Sequence, residues 1–510
     1  MAAQGIVFVV GAGPDLPGLL TVRGRELLAT ADAVVYDRRA QRKLIPGGVA
    51  GGPERYYVGS RAKGGRPSSA DVAQLLVTLA RQEMRVVYLV HGDPLALGSG
   101  SELVTALHDA SVEFEIIPGV PVGNAVATYS GIPLLSPTMT SATIYASGRT
   151  AARGGADTDW AAIAKIGATV VVSDATAVLP AIITGFAVAG VPGEIPAAAI
   201  VHAGRASQRV IIATLGTISD EIARAGLLRS VTVVIGWTVL LRDELAWFDN
   251  RPLFGVRIAF ARSRYGSHAV ADRLNELGAA VIEIPLPRIT RLDLTQLREE
   301  IERIADYEWL VFASPDAVNI FWEHLILGGK DTRSLSNAKV ACVEPATAAA
   351  LLDRGITVDV VQDRFDPVAL TDALSERSDI PGASMLYVAD DASSESFARD
   401  LEQAGATVTS LAVYREVPNE KTYARLRRVL GEHHSSLVVA MSPAAAEEYV
   451  RAAGEHVISS VPAAAYDDAT AQVLRDAGID VTITPAKPNA DLLIEAIRSK
   501  FGTARQDTLS

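Results

Sequence analysis

Short apolar runs, mostly of β-branched residues, recur along this chain, and each is followed by a longer stretch rich in Ala, Leu, Glu and Arg. The runs that predict strands are Ile6–Val10, Ala33–Tyr36, Arg85–Val90, Thr169–Val172 and Val231–Ile235. They are apolar throughout rather than alternating, as in strands covered by helices on both faces. Such an alternation of strands and helices predicts an α/β fold with mostly parallel sheets.

Composition limits the size and the class of the protein. The chain has 510 residues, 49% of them hydrophobic, which at roughly 150 residues per domain predicts about three folding units. The formal charge is -12 and no block of Lys or Arg occurs, so we expect no binding to nucleic acid, because phosphate contacts need dense positive charge.

Single features of the sequence exclude further kinds of site and classes of protein. The only cysteine, Cys342, excludes an intramolecular disulfide and a Cys-based zinc cluster, and we expect it to be buried. His433-His434 has no third ligand at a suitable spacing, so no metal site is predicted. No apolar run reaches about 18 residues and the N-terminus lacks a charged leader, so we expect a cytoplasmic protein with no membrane span.

The pattern restarts near residue 255. The segment LAWFDNRPLFG at 245–255 is followed by VRIAFARS, a predicted strand, and by a predicted helix. We therefore predict one domain over 1–254, with lobes of about 1–135 and 136–254, and a second domain over 255–510.

The second half contains a weak internal repeat. Ser314-Pro315 and Ser442-Pro443 follow similar apolar runs, and Thr347-Ala348 and Thr470-Ala471 follow the next ones. Such self-similarity predicts two copies of one α/β unit. Two lobes joined by a hinge leave a cleft, which is where small ligands usually bind.

Three loops rich in Gly and Pro follow predicted strands in the first half: GAGP at 11–14, HGDP at 91–94 and IPGVPV at 117–122. Glycines there permit tight turns and a close approach of backbone to a ligand. The spacing is not G-x-G-x-x-G, so a nicotinamide or flavin site is not expected. The alternative is that these are ordinary turns, in which Asp93 caps the segment after it.

Taken in order, GAGP, LLT, VVYD, GDP, IPG and GIPL resemble the tetrapyrrole methylases, most closely uroporphyrinogen-III C-methyltransferase, over about residues 4–254. The resemblance implies two α/β lobes, S-adenosylmethionine bound between them, and a homodimer. It makes Asp37 the carboxylate that handles the proton, although the sequence alone fits a helix cap equally well. The residues that it assigns to the methyl-donor site are Pro14, Gly92, Asp93, Pro121, Val122 and Gly204.

The chain departs from this family's pattern at several positions. Where charged residues, or residues that pack on the methyl donor, are expected, the chain has Leu16, Ser60, Ser99, Ser136 and Asp174. An alternative is therefore a catalytically degenerate domain retained for structure, dimerisation or ligand sensing.

The second half resembles uroporphyrinogen-III synthase over about residues 256–505, through PLPRI, YEWLVFASPDAVNIF, VEPATAAAL, LAVYREVP, MSPAA and DATAQVL. The resemblance implies a first lobe of about 256–287 plus 418–505 and a second of about 288–414. It implies cyclisation of hydroxymethylbilane to uroporphyrinogen III with inversion of ring D, and no cofactor.

Within this second half, the resemblance makes Tyr414 the catalytic candidate. The candidate substrate-binding residues are Arg262, Ser314, Thr347, Ser442 and Thr470. Without the resemblance, Tyr414 is a packed hinge residue, and Thr347, Ser442 and Thr470 are helix N-caps.

The sequence therefore predicts a fusion enzyme that acts on small-molecule tetrapyrroles, with a synthase half and an S-adenosylmethionine-dependent methylase half. One alternative is a synthase with a degenerate methylase-like domain. A third hypothesis is a two-lobed small-molecule binding protein or sensor, which leaves the methylase-like half unexplained.

Overall fold

The computed structural model describes residues 5–45, 52–60, 67–96, 99–148, 158–227, 231–262, 268–285, 288–343, 345–362, 370–374, 380–418, 420–431, 435–454 and 461–502. The chain divides into two compact units, an N-terminal unit of Met1–Gly255 and a C-terminal unit of Val256–Ser510. Each unit contains two sheets that are flanked by helices, so the predicted α/β class is confirmed.

The first sheet of the N-terminal unit has five strands in the order β3-β2-β4-β1-β5, all parallel. These strands are β1 (Ile6–Gly11), β2 (Ala33–Tyr36), β3 (Glu54–Tyr57), β4 (Arg85–Val90) and β5 (Glu113–Ile117). The helices of this part are α1 (Val22–Ala29), α2 (Ser69–Ala80), α3 (Ser99–Asp109) and α4 (Val122–Ser130). Because all strands run the same way, the three Gly/Pro loops leave the sheet at one edge.

The second sheet of this unit, in the order β6-β7-β10-β8-β9, is mixed. Its strands are β6 (Thr143–Ser147), β7 (Thr169–Ser173), β8 (Pro196–Val201), β9 (Arg209–Thr214) and β10 (Thr232–Ile235), and its helices are α5 (Trp160–Lys165), α6 (Leu179–Val188), α7 (Ile218–Arg224) and α8 (Arg242–Leu245). Only β6 and β7 pair in parallel, so the expectation of mostly parallel pairing is wrong here. The link between β8 and β9, residues 202–208, is too short for the crossover of a dozen or more residues that parallel neighbours need.

The first sheet of the C-terminal unit has the order β12-β11-β19-β20-β21 and is parallel throughout. It takes strands from both ends of the unit: β11 (Arg257–Arg262), β12 (Ala280–Pro285), β19 (Leu437–Ala440), β20 (Ala463–Ala465) and β21 (Val481–Ile483). The helices from these ends are α9 (His268–Glu276), α14 (Glu420–Gly431), α15 (Pro443–Ala453), α16 (Asp468–Asp476) and α17 (Ala490–Phe501).

The other sheet of this unit takes its strands from the middle of the unit, in the order β13-β18-β17-β14-β15-β16, and only β13 is antiparallel. The strands are β13 (Arg288–Arg291), β14 (Trp309–Phe312), β15 (Lys339–Val343), β16 (Val360–Gln362), β17 (Ser384–Asp390) and β18 (Thr407–Val417). The helices are α10 (Thr295–Glu302), α11 (Pro315–Leu327), α12 (Pro345–Leu352) and α13 (Ser394–Gln403).

Burial explains why the strands read as continuous apolar runs. In β14, Leu310 and Phe312 belong to a core cluster on one face of the sheet, and Trp309 and Val311 to a second cluster on the other. Since successive side chains point to opposite faces, a strand covered on both sides needs an apolar residue at every position.

The described residues contain no helix that is long and apolar enough to cross a membrane. Among the same residues, no group of His, Cys, Asp and Glu could hold a metal ion. His433-His434 lies outside the described residues.

Cys342 provides a test of the C-terminal core. Its thiol is fully buried in β15, and burial raises its pKa to about 12. We expect no reaction of the native chain with Ellman's reagent at pH 8, and release of one equivalent of chromophore after unfolding in guanidinium, because the thiolate is the reactive form. A Cys342→Ala variant controls for background, and rapid labelling of the native chain would contradict this packing.

Candidate functional site

The loops after β1, β4 and β5 meet at the carboxyl edge of the first sheet. The backbone N–H of Gly13 donates to the carbonyl of Gly92 at 3.1 Å, and the N–H of Gly92 donates to the carbonyl of Gly13 at 2.8 Å. A Cβ on Gly11 would lie 2.5 Å from the nitrogen of Gly119, and one on Gly119 would lie 2.3 Å from the carbonyl oxygen of Gly92. No residue with a side chain fits at these contacts, so the glycines bring three loops together as bare backbone.

Asp93 connects two of these loops. One carboxylate oxygen accepts the N–H groups of Leu95 and Ala96 at 2.9 and 3.0 Å, and the other accepts the N–H of Gly119 at 3.1 Å. The predicted turn cap is therefore present, and the same carboxylate also joins the loop after β4 to the loop after β5. A direct contact between Asp93 and a methyl donor remains a prediction.

Two more of the predicted donor-site residues follow the same loops. Pro121 is the N-cap residue of α4 and Val122 is its first residue. A Cγ atom of Val122 would lie 3.1 Å from a Cβ on Gly92, so Val122 packs on the loop after β4.

Asp15, directly after Pro14, is a buried charge that the sequence analysis missed. Its side chain is 1% exposed, with the Nε of Arg38 at 2.8 Å and the Nδ1 of His91 at 3.2 Å from its carboxylate. Burial alone would raise the pKa of Asp15, but His91 and Arg38 outweigh it and hold the pKa below its usual range. Asp15 has a φ of 60°, a conformation that Asp tolerates better than most residues.

Asp37 follows β2 and therefore lies at the same edge of the sheet. It is half-buried, and a Cβ on Gly59 would lie 2.0 Å from its carbonyl oxygen. The next residue, Arg38, reaches Asp15, so the segment that carries Asp37 is joined to the loop after β1.

Gly204, after β8, brings the second sheet to this site. It has a φ of +73°, and a Cβ there would lie 2.6 Å from a methyl carbon of Leu16. Its N–H donates to the side-chain oxygen of Gln208 at 2.9 Å, and the amide nitrogen of Gln208 donates to the carbonyl of Tyr129 and to Asp249, each at 2.9 Å. Gln208, which the sequence analysis also missed, holds the turn of Gly204.

The departures from the family pattern are partly visible in the structure. Leu16, at a position where the family has an acidic residue, contacts the segment of Gly204 instead of presenting a charge. Ser136 is buried in a tight turn with Thr140. The side chain of Ser99 lies outside the described part of the chain.

In the C-terminal unit, Tyr414 and Ser314 meet although 100 residues separate them. Tyr414 is 4% exposed, and its hydroxyl lies 2.8 Å from the hydroxyl of Ser314. Burial raises the pKa of Tyr414 far above its usual value, and the charges of Asp390 and Asp316 add to this effect, which the Ser314 hydrogen bond only partly opposes. The phenol therefore stays protonated at neutral pH.

The four hydroxyl residues of the repeat fall into two kinds. Ser314 and Ser442 are N-caps, whose hydroxyl oxygens accept the N–H of Ala317 at 3.1 Å and of Ala445 at 3.2 Å. The N-cap interpretation is thus correct for Ser442, and Ser314 is an N-cap as well.

The N-cap interpretation is wrong for the two threonines. Thr347 and Thr470 are each the third residue of a helix, α12 and α16, and are fully buried. Within the described residues neither hydroxyl has a hydrogen-bond partner. The N-cap of α16 is Asp467, whose carboxylate accepts the N–H of Thr470 at 2.8 Å.

Arg262 is the last residue of β11, and its side chain is not among those that the structure describes. Its backbone lies at the carboxyl edge of the five-stranded sheet, opposite Pro285 of β12.

Two family models match the chain. Residues 7–219 match the Tetrapyrrole (Corrin/Porphyrin) Methylases, and residues 268–495 match Uroporphyrinogen-III synthase HemD.

Curated relatives match one or both units. The porphyrin biosynthesis protein HemD of Ruminiclostridium josui is 29% identical over 73% of this chain and 74% of its own length. The uroporphyrinogen-III C-methyltransferase of Bacillus subtilis is 29% identical over 70% of this chain and 74% of its own. The siroheme synthase of Methylobacillus flagellatus is 34% identical over 49% of this chain and 53% of its own, so the chain spans about half of that protein.

A solved structure is similar to part of the chain. The uroporphyrin-III C-methyl transferase from Thermus thermophilus, complexed with S-adenyl homocysteine, is 28% identical over 46% of this chain and 100% of its own, with a TM-score of 0.39.

The two family matches occur in the order that the sequence motifs predicted, and both are enzyme families of tetrapyrrole biosynthesis. The chain therefore joins a domain of the tetrapyrrole methylase family, at residues 7–219, to a domain of the uroporphyrinogen-III synthase family, at residues 268–495.

Proposed function

We propose that the C-terminal unit closes hydroxymethylbilane to uroporphyrinogen III with inversion of ring D, and that the N-terminal unit transfers methyl groups from S-adenosylmethionine to carbons of that product. The observation that carries the first activity is the buried phenol of Tyr414, whose hydroxyl lies 2.8 Å from the hydroxyl of Ser314 although 100 residues separate the two in sequence.

Tyr414 would act as the general acid of the closure. Its proton goes to the terminal hydroxyl of the substrate, the C–O bond breaks with its electron pair leaving on water, and a cationic azafulvene forms beside the phenolate. Ring closure through a spiro intermediate and inversion of ring D follow, and the proton that the ring carbon then loses returns to the phenolate. General-acid assistance of this kind contributes about 10²- to 10⁴-fold to a rate, and positioning of the chain ends decides the isomer.

The carboxylates of the substrate need local donors. We propose that Thr347 and Thr470, with their unpartnered hydroxyls in the first turns of α12 and α16, contribute to carboxylate binding together with Ser442 and Arg262. The helix dipole favours an anion at a helix N-terminus. In α16 the carboxylate of Asp467 already accepts the N–H of Thr470, so the hydroxyl of Thr470 is the donor that we assign to the substrate there.

The methylase unit offers a cradle of bare backbone. Gly92 and Gly119, beside Pro14 and Pro121, bring the loops after β4 and β5 together as bare backbone. Glycine-rich loops of this kind permit close contact of the backbone with a nucleoside-containing ligand. We propose that S-adenosylmethionine binds there, against Val122 and Gly204, with Asp93 holding the loops. S-adenosylmethionine would supply the methyl group, and Asp37 would accept the proton lost by the methylated carbon.

A degenerate methylase unit is the second candidate, and one observation favours it. Leu16 packs against Gly204 where the family has an acidic residue, so the unit could bind the methyl donor without transferring its methyl group.

We also propose that the N-terminal unit forms a homodimer. Trp237, Leu240 and Leu245 are each about half exposed near the end of this unit, at 51%, 52% and 45%. We expect light scattering to give about twice the chain mass of 53.7 kDa, and Leu240→Lys to reduce the mass to that of one chain, because a buried unpaired charge is costly. A wild-type mass of one chain at micromolar concentration would contradict the dimer.

We expect Tyr414→Phe to slow formation of uroporphyrinogen III by about 10²-fold or more, with a rise in the uninverted isomer, because the proton donor is lost. The measurement is chromatographic separation of isomers after incubation with hydroxymethylbilane. Tyr449→Phe is the matched control, since Tyr449 is a fully buried tyrosine whose pKa burial also raises. An unchanged rate in Tyr414→Phe would remove Tyr414 from the mechanism.

We expect S-adenosylhomocysteine to bind the full chain in calorimetry and Gly11→Ala to abolish binding, because the new methyl group would strike the backbone of Gly119. Gly18→Ala is the control, since a Cβ there has open space. Absence of binding to the wild type would overturn the proposed donor site. Transfer of label from methyl-labelled S-adenosylmethionine to uroporphyrinogen III then separates an active from a degenerate unit.

A further inference from the structure

We propose that Ser314 is a positioning residue, whose hydroxyl donates to the oxygen of Tyr414 and so leaves the phenolic proton free for the leaving hydroxyl of the substrate. This inference rests on the proposed synthase activity of the C-terminal unit.

The hydrogen bonds of Ser314 set the direction of its proton. A serine hydroxyl has one proton and two lone pairs, and one lone pair of Ser314 accepts the N–H of Ala317 at 3.1 Å. The hydroxyl of Tyr414 lies 2.8 Å away. Two arrangements satisfy this contact: Ser314 donates to the phenol oxygen, or the phenol donates to Ser314 and has no proton left for a substrate.

The helix favours the first arrangement. Ser314 caps α11, which has 13 residues, so the phenol oxygen lies near a helix N-terminus. The partial positive charge at that end attracts the lone pairs of the phenol oxygen and repels its proton. The serine proton therefore points to Tyr414, and the phenolic proton points away from the helix.

The second copy of the repeat shows that capping alone does not need the tyrosine. Ser442 has nearly the same φ and ψ as Ser314, -160° and 161° against -162° and 162°, and caps α15 in the same way. Among the hydrogen bonds of the described residues, Ser442 has none to a tyrosine. The same Ser-Pro turn thus carries an additional contact in one copy only.

The position of Tyr414 in its strand brings the contact about. In the six-stranded sheet, β18 lies two strands from β14. β18 has 11 residues and Tyr414 is its eighth, so the strand continues far enough to bring the phenol to the start of α11.

The test is a double-mutant comparison in the full chain with hydroxymethylbilane. We expect Ser314→Ala to lower kcat for uroporphyrinogen III about ten-fold, the effect of losing one neutral hydrogen bond, with KM nearly unchanged. In the Tyr414→Phe background, Ser314→Ala should have no further effect, because the two residues act as one unit. Ser314→Thr, which keeps the hydroxyl, should recover most of the rate.

Ser442→Ala is the matched control, since it removes an equivalent cap. We expect it to lower the melting temperature by about as much as Ser314→Ala does, and to change kcat by the same factor with and without Tyr414→Phe. Ser314→Asp is the control for misfolding, because a carboxylate still caps the helix but has no proton to donate. We expect the kcat of Ser314→Asp to be as low as that of Ser314→Ala.

Equal effects of Ser314→Ala on kcat in both tyrosine backgrounds, or an effect confined to KM, would overturn the positioning role. If the wild-type chain forms only the uninverted isomer, the proposed synthase activity itself fails. The two failures are therefore distinct.

Discussion

The parallel pairing of strands is the constraint on which both candidate sites depend. When neighbouring strands run the same way, their carboxyl ends and the following loops lie at one edge of the sheet. Gly13 and Gly92 meet there in the N-terminal unit, and Ser314 meets Tyr414 at such an edge in the C-terminal unit. Residues far apart in sequence thus come together at that edge.

The α/β class and the main strands were predictable because burial on both faces leaves a continuous apolar run, as in Trp309–Phe312. The direction of pairing in the second sheet was not predictable from such runs. The strand β8 is apolar and fully buried, as a parallel strand would be, yet its seven-residue link to β9 imposes an antiparallel pair.

Residues within turn motifs were predictable, whereas residues whose importance depends on distant partners were not. Gly13 and Gly92 occupy loops that the glycines and prolines of the sequence predict directly. Asp15 has ordinary neighbours in sequence, and only the folded chain buries its carboxylate between Arg38 and His91. Gln208 likewise depends on Tyr129 and Asp249, which come from other segments. The local sequence pattern does not show which distant residues will make such contacts.

The repeated lobes of the C-terminal unit differ at equivalent helix ends. The N-terminus of α11 has a serine cap and the phenol of Tyr414 beside it. The equivalent helix of the other copy, α15, has the serine cap of Ser442, and the hydrogen bonds of the described residues include none from Ser442 to a tyrosine. Hydroxymethylbilane has two different ends, and only the hydroxymethyl end needs a proton. Two identical lobes would give such a substrate two equivalent orientations, so under the proposed synthase activity this difference would favour one of them.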